Sequence, residues 1–360
     1  MRNRSFACAT LLGLALAADA QAQQGTKQYS FSFKGDGLAR QEWTRDFFDG
    51  AGNQDRWRLQ ARPRLEFGIS SLLFGVGGDF NYSKDENTEP LPGAASVALL
   101  RDNYKSRDAR LDLAFVRLKT SWLQLQGGRF EMPVGLTEMI WDKDLRPQGG
   151  ALTLEKKDAS GARRFAVTGL YSQGSHVFQD EKTQMFLGMA EIGGSTGSLT
   201  GSYIEWRRLD RIEPMIRRQN TRASGEYVNR YRIVDGVVRV QRGGQVHTQL
   251  VFDYCRNLDV DEDNQGIWVA AVLGALTSSR ARLEYTFATV DKDATLAAYA
   301  TDDFFWGTGW EGHRTDFGFR AGDHGSLHAI AQWQRFKDSP RIEEREHWLK
   351  RYRIELRVHY

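Results

Sequence analysis

The strand-like segment at residues 351–360 constrains this chain more than any other feature. Tyr352, Ile354, Leu356, Val358 and Tyr360 alternate with Arg351, Arg353, Glu355, Arg357 and His359. A period of two is that of a β-strand, whose successive side chains point to opposite faces. Here one face carries only apolar or aromatic groups and the other only polar groups. Such a strand must separate an apolar phase from an aqueous one. Two architectures satisfy this: a soluble sheet with one wet face, and the wall of a membrane barrel with lipid outside and water inside.

The pattern recurs along the chain. Trp57, Leu59, Ala61, Pro63, Leu65, Phe67 and Ile69 alternate with Arg58, Gln60, Arg62, Arg64 and Glu66, and Leu283, Tyr285 and Phe287 alternate with Arg282, Glu284 and Thr286. Phe165–Tyr171 and Phe74–Tyr82 supply further apolar phases. Pro63 is an objection, because proline removes a ladder hydrogen bond from a sheet that should have no edge. Strands are predicted near 28–45, 55–69, 72–83, 108–119, 121–130, 148–157, 163–173, 184–193, 197–208, 233–242, 246–256, 265–276, 279–289, 314–321, 325–336 and 347–360. Sixteen is the expected number, with 14 or 18 as alternatives. Val234-Asp235-Gly236-Val237 resembles a hairpin turn, so the strand at 233–242 is expected to begin as one arm of an outer hairpin.

The connections decide between the two architectures. Short ones (70–71, 120, 194–196, 243–244, 277–278) alternate with long ones (84–107, 131–147, 209–232, 290–313, 337–346). Membrane barrels have short periplasmic turns and longer outer loops, whereas a soluble sandwich gives no reason for such parity. Membrane strands alternate lipid-facing and lumen-facing side chains, so a mean hydropathy of −0.53 is compatible with spanning a membrane. The expected fold is therefore all-β: a transmembrane, antiparallel, up-and-down β-barrel over 23–360. Trp43, Trp57, Trp268, Trp333 and Trp348 are expected at outer strand ends, with Trp122 and Tyr360 at inner ends, as interfacial girdles.

Residues 1–22 read as an export signal: Arg2 and Arg4, an apolar run from Phe6 to Ala17, then small residues at Ala18-Asp19-Ala20 and Ala20-Gln21-Ala22. The run is too short for a spanning helix. Export places the barrel in a bacterial outer membrane with both termini periplasmic. The full chain carries 49 basic and 46 acidic residues. Removing Arg2, Arg4 and Asp19 leaves it near neutral, without the basic footprint of a nucleic-acid binder. Cys8 leaves with the signal, and Cys255 alone makes neither a disulfide framework nor a cysteine zinc site.

Phase assigns the lumen face. Arg58, Arg62, Arg64 and Glu66, Arg280, Arg282 and Glu284, and Arg351, Arg353, Glu355 and Arg357 are expected to line the pore. Basic residues outnumber acidic ones there, which predicts a weak anion preference. The acidic residues Asp259, Asp261, Glu262, Asp263, Asp302 and Asp303 are expected in outer loops. Residues 131–147 form the third outer connection and are expected to fold inward, with Asp142, Asp144 and Arg146 setting opposed charges at a constriction.

Gly128-Arg129-Phe130-Glu131-Met132-Pro133 and Trp141-Asp142-Lys143-Asp144-Leu145-Arg146-Pro147-Gln148-Gly149 resemble motifs of the "putative porin" family of Gram-negative bacteria. A second match runs from Tyr254 through Asn257, Asp259, Asp261, Asp263, Tyr285, Asp291, Asp293, Ala294 and Asp302-Asp303 to Gly312. Gln148 stands where the family often has Glu. The resemblance implies a porin-like barrel and names no solute. Tyr360 likewise resembles the terminal aromatic signal read by the barrel assembly machinery.

Little catalytic chemistry is legible. Asp259, Asp261 and Asp263 have the spacing that opens a calcium loop, but Asn264 replaces the turn glycine and Ala270 the bidentate glutamate. A looser cation site there, bridging lipopolysaccharide phosphates, is the remaining metal reading. Asp302-Asp303, His313 and Asp316 form a weak constellation beside one outer loop. No phosphate loop, HExxH or nucleophile elbow occurs. The chain is too short for a plug and about 22 strands. The sequence therefore predicts a porin passing small hydrophilic solutes, with no cofactor and no catalytic residues. Its expected partners are membrane lipid, lipopolysaccharide, the assembly machinery and copies of itself in a homotrimer. The alternatives are a channel specific for an organic acid or oligosaccharide, and a closed structural or binding barrel.

Overall fold

The computed structural model describes residues 29–45, 53–86, 107–158, 163–175, 183–212, 220–244, 246–301, 303–304, 307–337 and 346–360. The export signal expected at 1–22 lies outside the described residues, as does Asp302. The first nine strands are β1 (Tyr29–Arg45), β2 (Gln54–Ile69), β3 (Leu72–Glu86), β4 (Arg107–Lys119), β5 (Leu123–Arg129), β6 (Pro147–Lys157), β7 (Arg163–Ser175), β8 (Gln184–Gly194) and β9 (Gly197–Arg207). A two-stranded ribbon follows, β10 (Arg222–Ala223) and β11 (Glu226–Tyr227). The wall resumes with β12 (Tyr231–Arg242), β13 (Thr248–Asn257), β14 (Gln265–Leu273), β15 (Ala281–Val290), β16 (Trp310–Arg320), β17 (Gly325–Phe336) and β18 (Leu349–His359).

Apart from the ribbon, the strands pair antiparallel with their chain neighbours, and β1 pairs with both β2 and β18. The result is a closed barrel of sixteen strands. Closure leaves the wall without an open edge, so its strands pair on both sides, the condition for a sheet to span hydrocarbon. The inside-out chemistry follows the alternation. On β18, Glu355 is 0 % exposed and lies inward, whereas Ile354 is 49 % exposed on the outer surface. Phe31, Phe67, Phe74, Phe80, Leu356 and Val358 belong to the same outer apolar surface. No helix among the described residues is long and apolar enough to cross a membrane.

Among the described residues, Tyr29, Tyr360 and the short turns share one end of the barrel, and the strand ends that lead into the long connections share the other. Pro63 sits in a local gap of the β2–β3 ladder, which breaks off after Ala61–Phe80 and resumes at Arg64–Gly77. The missing N–H therefore costs nothing there, and the adjoining β3–β4 ladder shifts register at Gly77/Gly78.

Two expectations are corrected. Val234–Val237 is not a turn but the middle of β12, paired on both sides with β9 and β13. The hairpin lies earlier, at β10–β11, where Ser224 and Gly225 take positive φ values of 53° and 85°. Strand β16 begins at Trp310, four residues before the predicted 314, because its lumen face mixes Trp310 and Gly312 with Arg314 and so blurs the alternation.

Candidate functional site

The connection between β5 and β6, residues 130–146, crosses the inside of the barrel. Phe130, Met139, Ile140, Trp141 and Leu145 are buried within the wall. Glycines frame it. A Cβ on Gly128, whose φ is +111°, would lie 2.2 Å from the Ala114 carbonyl, and one on Gly149 would lie 2.0 Å from that of Tyr171. Only a residue without Cβ allows β5 and β6 to come so close to their neighbours where the chain leaves and rejoins the wall. The β6–β7 ladder also shifts register at Pro147/Gly149. The two short motifs thus mark the entry, body and exit of an inward loop.

Side chains tie this loop to widely separated strands. Arg64 of β2 donates to Glu131 at 2.5 Å and Arg62 of β2 to Asp144 at 2.7 Å. Arg146 pairs with Asp112 of β4 at 3.1 Å. Across the lumen, Arg239 of β12 donates to the Gly135 carbonyl at 2.6 Å, and Thr137 donates to Asp253 of β13. Arg314 of β16 donates to Glu138 at 3.2 Å. Within the loop, the Asp142 carboxylate accepts from the Asp144 amide at 2.7 Å, fixing the turn that aims Asp144 at Arg62.

A second connection between β15 and β16, described at residues 291–301, 303–304 and 307–309, also lies inside the barrel. Asp293 is its anchor, accepting from Thr221, Asn229 and Tyr231, the last at 2.6 Å. Tyr299 stacks on Trp141 at 5.5 Å between centroids and meets Trp206 at 4.2 Å. Phe304 stacks on Trp310 at 4.2 Å and packs edge-on against Trp268 at 5.7 Å. The two loops and the wall thus share an aromatic core toward the long-loop end. Trp268, expected in a lipid girdle, is 4 % exposed on the lumen phase of β14. Trp43, Trp57 and Trp333 do take the outward phase, and Trp333 meets Tyr352 at 6.5 Å.

Asp303 is likewise not an exposed outer-loop charge. It is buried between Lys143 at 2.6 Å, Arg353 at 2.6 Å and Arg314 at 3.2 Å. Burial alone would raise its carboxyl, but these cations hold it well below the usual carboxylate range. Asp144 is held down in the same way, with Arg62 and Arg58 opposing burial.

The wall arginines are mostly compensated. Arg62 also pairs with Asp36 at 2.7 Å, and Arg353 with Glu42 at 2.6 Å. Glu355 lies between Arg40 and Arg357, 2.6 Å from each. Arg351 faces Glu42 at 3.7 Å, Glu66 pairs with Lys34 at 2.7 Å, and Arg282 pairs with Glu284. Arg58 donates to Asn81 and Gln60. Arg280 is exposed in the turn before β15 instead of lying on the wall. The sequence reading missed Arg40, Glu42, Lys143, Glu138 and Arg314. These charges acquire meaning only through partners 100 or more residues away, or on strands whose phase was not assigned.

The weak catalytic constellation is not assembled. His313 takes the outward phase beside Phe287 and Trp348. Asp316 instead accepts from His328 at 2.7 Å, and His328 meets Ser326 at 3.0 Å. This Ser-His-Asp relay resembles a nucleophile triad, but Ser326 is 3 % exposed. The relay ties β16 to β17. Asp259 is engaged by Arg232 at 2.9 Å.

The short-turn end of the lumen is open and polar. A cavity of about 460 Å³ is lined by Lys119, Trp122, Gln124, Thr153, Lys157 and Arg164, under Pro133 of the first loop. A second, of about 360 Å³, adjoins it past Lys157 and Arg164 and reaches Arg239 and Gln241.

Comparison with known proteins agrees with this architecture. A search of the curated proteins gives no significant match. Among solved structures, OprB of Pseudomonas putida is similar in fold, with 11 % identity, a TM-score of 0.53 and 92 % of each chain covered. OmpF of Salmonella typhi, solved with daunomycin, shows 12 % identity and a TM-score of 0.53 over 92 % of this chain and 98 % of that one. The sequence profile of the family described as "putative porin" matches residues 20–186, a span that includes the first inward loop. With that match over residues 20–186 and a closed sixteen-stranded wall, the chain resembles the "putative porin" family over those residues and has a porin-like β-barrel fold.

Proposed function

We propose that the protein passes small hydrophilic solutes passively, through a lumen narrowed by the loops 130–146 and 291–309. The observation that carries this reading is the first loop's position inside the wall, held by Arg62 on one side and by Arg239 and Arg314 on the other. Sixteen-stranded walls enclose an aqueous space, whereas eight-stranded ones are filled by side chains. The two loops reduce that space and line what remains with charge.

A weak anion preference belongs to this reading, with its source relocated. The arginines of β2 and β18 are neutralised by neighbours, so the excess positive charge is that of the short-turn mouth, at Lys119, Lys157, Arg164 and Arg239. A solute-specific channel is the second reading. It is favoured by the aromatic core of Trp141, Trp206 and Tyr299, which leaves less open cross-section than a bare wall. Cleavage after Ala22, periplasmic termini, delivery by the assembly machinery through Tyr360, contact with lipopolysaccharide and a homotrimeric assembly complete the proposal. Cross-linking in intact membranes tests the last.

Reconstitution into planar bilayers tests conduction. Discrete steps whose size grows with KCl concentration are the expected result. Saturation by an organic acid or an oligosaccharide would favour the specific channel. The absence of steps from correctly folded protein would leave a closed barrel.

A further inference from the structure

The charge balance of the lumen is uneven around its circumference. Arg40, Arg62, Arg64, Arg353 and Arg357 all sit within ion-pair distance of a carboxylate. At the short-turn mouth between β4 and β12 the arrangement differs. Glu155 takes Lys157 at 3.1 Å and Arg164 at 3.2 Å, and Glu191 takes Arg164 at 3.2 Å. Arg239 donates only to a loop carbonyl, and Arg117 to Gln126. Lys119 makes no ion pair among the described residues. Positive charge therefore exceeds negative here, in a recess that focuses the field more than an open surface does.

The recess also offers an unusual ring. Trp122 stands in the turn between β4 and β5, two residues before Gln124 and on the same lumen phase. It is 58 % exposed and lines the 460 Å³ cavity with Lys119, Gln124, Thr153 and Lys157. It therefore faces the aqueous mouth, not the lipid girdle. The cavity falls within the roughly 300–1,000 Å³ of small-molecule sites, with Pro133 as its roof. A water-exposed indole flanked by cations and an amide can stack on a flat apolar group while the cations hold an anionic end.

We propose that this recess is a binding subsite for small organic anions that combine a carboxylate with a ring. The carboxylate pairs with Lys119, with Lys157 beside it, and the ring lies on Trp122. Gln124 and Thr153 supply further hydrogen bonds. The subsite gives the channel reading a solute class and rests on that reading for its physiological use, though not for binding itself.

Benzoate is the probe. Full-length protein in detergent is titrated calorimetrically, and the same preparation is recorded in planar bilayers with benzoate added to the short-turn side. The expected result is saturable binding and a concentration-dependent block. Loss of one charge-assisted contact corresponds to roughly tenfold, so Lys119→Gln should weaken benzoate about tenfold. Trp122→Ala should weaken benzoate but leave acetate unchanged. Arg320→Gln, across the mouth on β16, should leave both unchanged. Lys119 and Trp122 are exposed, so these variants should assemble, as heat-modifiable migration would verify. Benzoate binding unaltered by both Lys119→Gln and Trp122→Ala overturns the subsite. Conducting steps with no benzoate binding overturn the subsite and leave the channel standing. Lys119-dependent binding without conduction does the reverse.

Discussion

Lys143 donates to Asp303 across 2.6 Å, and this contact, with the Trp141–Tyr299 stack, joins the two loops that cross the lumen. It has no counterpart in the primary pattern: 160 positions separate the pair. Arg314 and Arg353, from two different wall strands, complete the cage around the same carboxylate.

Replacing Asp303 by Asn should release this junction. The substitution keeps the shape but leaves Lys143, Arg314 and Arg353 without their shared anion. Breaking a buried ion pair from one side costs about 3–5 kcal/mol. Asp303→Asn is therefore expected to lower the heat-modification temperature and to make the single-channel current larger and noisier. An unchanged current trace would show that the junction does not govern the opening.

The pH dependence follows from the same groups. Burial would raise Asp303, yet Lys143, Arg353 and Arg314 depress it. Burial would lower Lys143, yet Asp303 and Glu138 raise it. A depressed carboxyl stabilises docking above its free value of about 4 and loses that as pH falls through the lower docked value. A raised lysine stabilises below about 10.4 and loses that only as pH rises beyond its higher docked value. Conductance should therefore be flat between about pH 4 and 10 and should change only in stronger acid. A step at roughly pH 6–7, where histidine titrates, would contradict this account.

Ion selectivity should respond to the mouth more than to the wall. Lys157→Glu combined with Arg239→Glu is expected to move the reversal potential under a KCl gradient toward potassium. Arg353→Glu would instead place a third carboxylate beside Glu42 and Asp303, and impaired assembly is expected. A clear potassium preference in the unaltered protein would refute the anion reading.

Tyr360 closes the barrel against β1. Its amide donates to the Gly35 carbonyl at 3.1 Å, and the Gly35 amide donates back at 2.9 Å. A Cβ on Gly35 would lie 2.5 Å from the Tyr360 hydroxyl and 2.7 Å from the Arg62 carbonyl. Both Tyr360→Asp and Gly35→Val are expected to reduce the heat-modifiable fraction recovered from membranes. Normal yields of both would mean that this seam does not limit assembly.

The sequence determined the wall. A two-residue period is a local property, and an outer apolar phase opposite a polar one can be read wherever lipid and water are the two environments. The alternation of short and long connections set strand number and parity for the same reason; every wall strand starts within two residues of its expected start except β16, and the hairpin expected at Val234–Val237 lies instead within β12. The interior was decided by tertiary structure alone. Trp268 reads as an interfacial tryptophan until Phe304 is seen packed on it from inside. Asp303 reads as a solvated loop acid until Lys143, Arg314 and Arg353 surround it. The excess of arginine on β2 and β18 reads as fixed charge until Asp36, Glu42 and Asp144 arrive from elsewhere to cancel it. Loops that fold back into a barrel bring together residues whose separation along the chain carries no periodicity. Long-range ion pairing and packing leave no local signal, so they become legible only when the sheet closes.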